Sequence, residues 1–258
     1  MLIDSHCHLN FSDFSTDFNY YLEQMATSDV RYALCVGTNP QSIEQIVGLI
    51  GKYPNLFGSV GIHPDERLED FTLSAQYLLD YTKNPKIVAI GETGLDYYRV
   101  TDEDMTWQHD RFILHIEVAK QTKLPLIIHT RSSIEDTLKF MHKHNANLAC
   151  GVMHCFTETV ENARLALDMG FYISLSGIVT FKNADVVKQL AKYVPLDRLL
   201  VETDAPFLAP VPFRGKLNHP ALVKYTAQEI ANIRQIDFEQ LAQATSENFL
   251  RLFNKVKI

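Results

Sequence analysis

The sequence predicts an α/β protein, a (β/α)8 TIM barrel formed by residues 1–258 as one domain with extra C-terminal helices. Three observations carry this. Eight short apolar runs alternate with longer segments of helical period, the order expected of parallel strands covered by helices. The length of 258 residues matches the ~250 that such a barrel uses as a single domain. Polar residues able to hold metals stand at the ends of the apolar runs, and the C-terminal ends of barrel strands open on one face. An open doubly wound sheet lacks support, because no G-x-G-x-x-G and no G-x-x-x-x-G-K-[ST] occurs.

The first run is 2–5, and 20–28 reads as a helix. Residues 32–38 form a buried-type strand ended by Gly37. Ile43, Ile46, Val47 and Ile50 then fall on one helical face. The third strand, 57–63, is stopped by Pro64, and a helix follows over 71–82 before Pro85. The fourth strand is 87–92, with an acidic and aromatic loop over 93–104. A long helix spans 106–122, and 125–129 is the fifth strand. Ser132 and Glu135 read as a capping box for a helix continuing through Leu138 and Met141. The sixth strand is 150–154, then comes a helix over 158–169 capped by Gly170. The seventh strand is 171–176, the next helix 185–193, and the eighth strand 199–204. A proline-rich loop, 206–220, leads to a helix over 221–233 and to another with Asp237 as N-cap.

With 46% hydrophobic and 21% charged residues, the composition is that of a globular domain with ample core material. A net charge of −7 argues against a broad basic face clamped on duplex nucleic acid, which needs many cations. It leaves room for nucleic acid held at one end by bound metals. The four cysteines include no C-x-x-C pair, and Asp4 interrupts the opening apolar residues before any signal-peptide core forms. No apolar run approaches the ~20 residues that span a bilayer. A reducing, cytoplasmic setting without membrane attachment is expected.

The strand ends supply the chemistry. His6 and His8 follow strand one, two apart and on the same side of an extended chain, with Cys7 opposite. His63 follows strand three, Glu92 strand four, His129 strand five, His154 strand six and Asp204 strand eight. A catalytic zinc takes three protein ligands and a structural one four. Six good ligands therefore point to two divalent ions. Glu92 is the natural bridge, with His6, His8 and Asp204 around one ion and His129 and His154 around the other. Two such ions activate a water between them and flank a displacement at phosphorus. Glu92 and Asp204 are the catalytic carboxylates, Asp204 also serving as general base for that water. Glu92 must then lie within ~10 Å of both His6 and His129, since ligands sit only about 2 Å from an ion.

Six blocks carry a resemblance. They are Asp4-Ser5-His6-Cys7-His8-Leu9, Gly61-Ile62-His63-Pro64, Gly91-Glu92-Thr93-Gly94-Leu95-Asp96-Tyr97, Ile128-His129-Thr130-Arg131, Met153-His154-Cys155-Phe156 and Val201-Glu202-Thr203-Asp204-Ala205-Pro206. The chain resembles the TatD-family metal-dependent deoxyribonucleases of the amidohydrolase superfamily, most closely their YcfH-type bacterial branch. The resemblance runs on through Arg214-Gly215-Lys216-Leu217-Asn218 and the C-terminal Asn248-Phe249. It implies a barrel of the metal-dependent hydrolase type. It implies His6, His8, Glu92, His129, His154 and Asp204 as metal ligands and brings in Mg, whereas mixed imidazole and carboxylate ligands suit Zn or Mn. It further implies a nuclease acting on DNA, often from a 3′ end. Imidazole-rich ligation is unusual for magnesium. One departure is His219, where relatives often carry Gln or Glu.

Candidate substrate contacts are His63, Arg131, Arg214, Lys216 and Tyr97, each with a structural alternative. His63 reaches a phosphate or leaving group, or else packs beside the site. Arg131 clamps a phosphate or supports its loop by a salt bridge. Arg214 and Lys216 grip a nucleic-acid backbone or are solvated charges. Tyr97 and Tyr98, with Arg99 beside them, stack on bases or hold the loop down. Glu202 is in phase with Asp204 and is placed to hydrogen-bond a ligand histidine. His109, His115, His142 and His144 read as solvated helix residues, and Cys155 as pointing away from the metals. The expected substrate is a DNA end or single-stranded DNA, taken by a monomer. The same metal site suits a carboxylic ester such as aminoacyl-tRNA, and a third reading is a binding protein that has kept the barrel and lost chemistry.

Overall fold

The computed structural model describes residues 1–68, 71–98 and 104–257. The strands are β1 (Leu2–Cys7), β2 (Val30–Cys35), β3 (Leu56–Val60), β4 (Ile87–Asp96), β5 (Leu126–Arg131), β6 (Gly151–Met153), β7 (Tyr172–Leu175) and β8 (Leu199–Val201). They pair in parallel and in chain order. The ring closes just beyond β8, where the Asp204 amide donates to His6 O at 2.9 Å and the His8 amide to Ala205 O at 2.8 Å. Closure therefore runs through three candidate ligands, His6, His8 and Asp204.

The helices are α1 (Phe18–Thr27), α2 (Pro40–Lys52), α3 (Ala75–Thr82), α4 (Thr106–Thr122), α5 (Ile134–Lys143), α6 (Val160–Asp168), α7 (Asp185–Tyr193), α8 (Val223–Arg234) and α9 (Phe238–Leu252). Each of α1 to α8 follows its strand, so α8 completes the barrel and α9 is the one added helix among the described residues. Strand alternation splits the core in two. Ile3, Leu34, Val88, Ile127 and Leu200 face the barrel interior together with Phe249 and Phe253 from the α9 end. Ala33, Cys35, Ile87 and Ile128 face outward against Ile43, Ile46 and Phe112 of the helices. Just after α9, Lys255 Nζ donates to the carbonyls of Thr82, Asn84 and Ile87 at 2.8 Å each, fixing the C-terminal segment at the start of β4. That end is sealed, and the opposite mouth is left for chemistry.

Several boundaries differ from the sequence expectation. β4 runs through Asp96 and absorbs the first four residues of the expected loop; residues 99–103 of that loop, Arg99 included, lie outside the described residues. α3 starts at Ala75, where the Ser74 side chain accepts from the Tyr77 amide at 3.2 Å, so 71–74 is not helical. The capping box at Ser132 does not form. Ser132 has a left-handed backbone (φ 55°), and the N-cap is Ser133. The Ser133 hydroxyl donates to Leu95 O of β4 at 2.7 Å, which tethers the start of α5 to the barrel wall. Among the described residues no helix is long and apolar enough to cross a membrane.

His115 is fully buried on α4, not solvated. Its Nε2 accepts from the Ile62 amide at 3.1 Å and its Nδ1–H donates to Arg111 O at 2.8 Å, which defines a neutral ring. Burial lowers its pKa to about 4, with the Arg111 carbonyl pulling the other way. The unfolded chain, near 6.5, takes up the proton first as the pH falls. The stability from neutral His115 is therefore present above pH 6.5 and lost toward pH 4. Between pH 7 and 4.5 the wild type should lose roughly 2–3 kcal/mol more than His115→Asn in urea unfolding. Parallel losses in the two proteins would show that the buried imidazole is not the titrating group.

Candidate metal centre

β1 delivers two imidazoles by breaking its own alternation. Ile3 faces the barrel interior, and so does Ser5, whose hydroxyl donates to Val201 O at 3.0 Å and lies 3.2 Å from Ser174 Oγ. Unbroken alternation would turn His6 outward. The pairing of β1 with β2 shifts between Asp4 and Cys7, and this irregularity resets the phase. His6 and His8 then share the inner side, while Cys7 packs in the outer core. β4 delivers Glu92 by close approach to β3. A Cβ on Gly61 would stand 2.4 Å from the carbonyl carbon of Gly91, so only glycine fits there.

The six expected ligands converge, and Glu92 divides them. His6 Nε2 lies 3.5 Å and His8 Nε2 3.9 Å from Glu92 Oε2. The same two nitrogens are 3.3 Å apart and lie 3.6 and 3.5 Å from Asp204 Oδ1. Around Glu92 Oε1 stand His129 Nδ1 at 3.0 Å and His154 Nε2 at 2.9 Å, themselves 3.3 Å apart. Four tetrahedral donors at ~2.1 Å from one ion are spaced about 3.4 Å from each other. His6, His8 and Glu92 group at about that spacing, and Asp204 keeps it to both imidazoles. The second set offers three donors at slightly shorter spacing, with His63 Nε2 3.6 Å from Glu92 Oε1. Donor groups of this kind and spacing fit divalent-metal binding.

The far nitrogens of three imidazoles are fixed, as ligands require. His8 Nδ1 donates to Val36 O at 3.1 Å, His129 Nε2 to Asp96 Oδ2 at 3.1 Å and His154 Nδ1 to Glu202 Oε1 at 3.3 Å. Glu202 thus has the expected supporting role. Asp96 was not singled out in the sequence. Extending β4 by four residues would have placed it in phase with Glu92. Asp4 was missed as well. It is fully buried and accepts from the Thr203 amide at 2.9 Å and the Thr203 hydroxyl at 2.5 Å, and so ties β1 to the residue before Asp204.

Burial is the largest influence on each of these groups, raising carboxyls and lowering imidazoles. Against it, His154, His63 and His129 hold Glu92 well below the usual carboxylate range. His8 and His6 hold Asp204 down, and His129 holds Asp96 down. In return Glu92 and Glu202 lift His154 well above its ordinary value, Asp96 and Glu92 lift His129, and Asp204 lifts His8. His6 falls, because burial and the charge of His154 outweigh Glu92. The carboxylates thus collect positive charge, carried by protons that cations would displace.

Five of the six donors, all but His6, line a cleft of 650 Å³ at the C-terminal mouth, with His63, Arg131, Cys155 and Phe207 on its walls. His63 is anchored by Asp65 Oδ1, 2.5 Å from its Nδ1. The Arg131 guanidinium rests 3.7 Å over the Tyr98 ring, and among the described residues it forms no salt bridge. Three expected contacts lie elsewhere. Tyr97 is outside the cleft lining, its hydroxyl 2.8 Å from His109 Nε2 and donating to Asp136 Oδ2 at 3.1 Å, so it secures the end of β4. Arg214 lines a neighbouring cavity, its guanidinium 3.7 Å over Phe181. Lys216 is exposed, 5.9 Å from the Phe213 ring, and off the cleft wall. Cys155 reverses its expectation: its backbone turns left-handed (φ 44°) and brings it onto the cleft. His219 is also away from the cleft, 5.6 Å from the Tyr21 ring.

A family model described as "TatD related DNase" matches residues 3–254. The chain is 43% identical over 256 residues to an uncharacterized metal-dependent hydrolase, YcfH, of Escherichia coli K12, covering 98% of this chain and 96% of that one. It is 39% identical to the uncharacterized metal-dependent hydrolase YabD of Bacillus subtilis 168, covering 98% and 99%. Among solved structures, the Escherichia coli K12 TatD homolog YJJV superposes with a TM-score of 0.87 at 27% identity, covering 98% of each chain.

Two outcomes follow from this geometry. Asp96→Ala should weaken divalent-ion binding roughly 10–100-fold with the fold retained, by competition against a chromophoric chelator; unchanged affinity would mean that Asp96 does not orient His129. Ion uptake should also release protons, so apparent affinity falls as the pH drops below neutrality. Calorimetry in buffers of different ionisation enthalpy reads this directly, and identical heats in all buffers would contradict it.

Proposed function

The chain belongs to the TatD-related DNase family of metal-dependent hydrolases, and from that premise we propose that it is a two-metal phosphodiesterase that trims DNA, acting as a monomer on 3′ ends or single strands. The observation that carries the reading is the division of Glu92: Oε2 faces His6 and His8, while Oε1 faces His129 and His154. A carboxylate placed in this way could serve two cations at once.

His6, His8 and Asp204 would hold one ion with Glu92, and His129 and His154 the other. Such ions lower the pKa of bound water and stabilise charge on the attacking and leaving oxygens. Imidazole and carboxylate donors together suit zinc or manganese better than magnesium. The chain's own residues supply the rest. Asp204 lines the cleft, its carboxyl held low by the neighbouring imidazoles, and accepts the proton of the attacking water. Its position is fixed from two sides. Asp4 holds Thr203, and Asn218 Nδ2 donates to Thr203 O at 2.9 Å and Phe207 O at 2.6 Å. Arg131 places a cation on the cleft wall beside the acidic donors, where a phosphodiester oxygen needs one. Asp65 keeps His63 turned so that Nε2 faces Glu92, within reach of a leaving oxygen.

Digestion of a single-stranded oligodeoxynucleotide by protein loaded in turn with Mg, Mn and Zn tests the reading. Glu92→Ala should lose bound metal, and Asp204→Ala should lose roughly 10²–10⁴-fold in turnover. Full activity in either variant would refute the assignment. Cleavage of an aminoacyl ester without any diester hydrolysis would move the substrate class to carboxylic esters. A metal-replete protein that cleaves neither would be a binding protein on this barrel.

A further inference from the structure

A second cavity, of 610 Å³, adjoins the metal cleft of 650 Å³, and Thr157 and Ile178 line both. The two therefore share a wall on the β6–β7 side of the barrel mouth. The second cavity joins two kinds of surface. Phe181, Ile178 and Val186 are apolar, and Arg214 and Lys182 bring two cations against one acid, Asp185. The Arg214 guanidinium lies 3.7 Å over the Phe181 ring. A guanidinium stacked on a ring keeps its N–H edge free to donate to an anion. The metal cleft differs in character, with Glu92, Asp96, Asp204, Asp65 and Glu66 on its walls. On a chain of net charge −7, a cationic and aromatic hollow beside an acidic metal site is a marked local reversal.

Resting on the phosphodiesterase reading, we propose that this hollow, built from Phe181, Arg214 and Lys182, is a subsite for the nucleotide unit one beyond the pair that flanks the scissile linkage. Arg214 and Lys182 meet its phosphate, and the apolar wall around Phe181 takes its sugar and unstacked base. A paired base cannot turn its face to such a wall, so the subsite selects single strands. This assigns Arg214 a role next to the metal cleft, not within it, and brings in Phe181 and Lys182.

The test compares kcat/KM of the metal-loaded protein on a thymidine dinucleotide and a thymidine pentanucleotide with the same terminal linkage. The longer strand should be favoured about ten-fold, the size of one aromatic–base stack, mainly through KM. Phe181→Ala and Arg214→Glu should each reduce that preference to less than about two-fold. Arg214→Lys, which keeps charge without the planar fork, should retain part of it. No length preference in the wild type, or a preference that survives both substitutions, overturns the subsite. If no diester is cleaved at all, the functional reading fails separately. Fluorescence anisotropy of the labelled pentanucleotide on metal-free protein then decides. About ten-fold weaker binding in Phe181→Ala supports the subsite. Equal affinity in both proteins, or no binding by wild type up to about 1 mM, overturns it.

Discussion

One buried carboxylate organises the mouth of this barrel. Glu92 sits where five imidazoles converge, two from the barrel's first and fifth strands and the others from just beyond β1, β3 and β6. Burial by itself would neutralise it, yet the surrounding ring nitrogens keep it ionised. Packing so many polar groups at one water-poor point is unfavourable unless each finds a partner. Cations of the right size would satisfy all of them at once. The rest of the mouth can be understood as the apparatus that holds these groups in register.

That apparatus is distributed over the whole ring. The irregularity in β1 turns His6 inward, and paired glycines let β3 and β4 approach closely enough to place Glu92. Asp4 binds Thr203, so the first and last strands fix Asp204 together. Asp96, Glu202 and the Val36 carbonyl hold the rear nitrogens of His129, His154 and His8. Because these supports come from different strands, the site is a property of the closed barrel. The opposite end is closed by the Phe249 and Phe253 side chains, which confines reactivity to one mouth.

The mouth also has an internal polarity. Its centre is acidic and prepared for cations, whereas the flank beyond Ile178 is aromatic and basic. Negative charge is disfavoured at the first without cations and favoured at the second. Arg131 over Tyr98 and Arg214 over Phe181 repeat one device, a guanidinium held 3.7 Å from a ring centroid by a cation–π contact.

The sequence by itself determined the order of elements, the barrel and the six donors, because periods of 2 and 3.6 and the placement of His, Glu and Asp at strand ends are local signals. Helix α7 at Asp185–Tyr193 and helix α4 at Thr106–Thr122 were legible to the residue for the same reason. Only the tertiary structure decided what depends on neighbours distant in the chain. Asp96 and Asp4 emerged as supports because their partners lie 33 and 199 residues away. Tyr97 left the cleft because Asp136 and His109 claim its hydroxyl, and Cys155 entered it through a left-handed turn that alternation cannot foresee. His115 looked like a solvated helix residue until the Ile62 amide gave its ring nitrogen a buried partner. A pattern in the chain fixes which way a side chain tends to face, but which atom it meets is set by the closure of the ring.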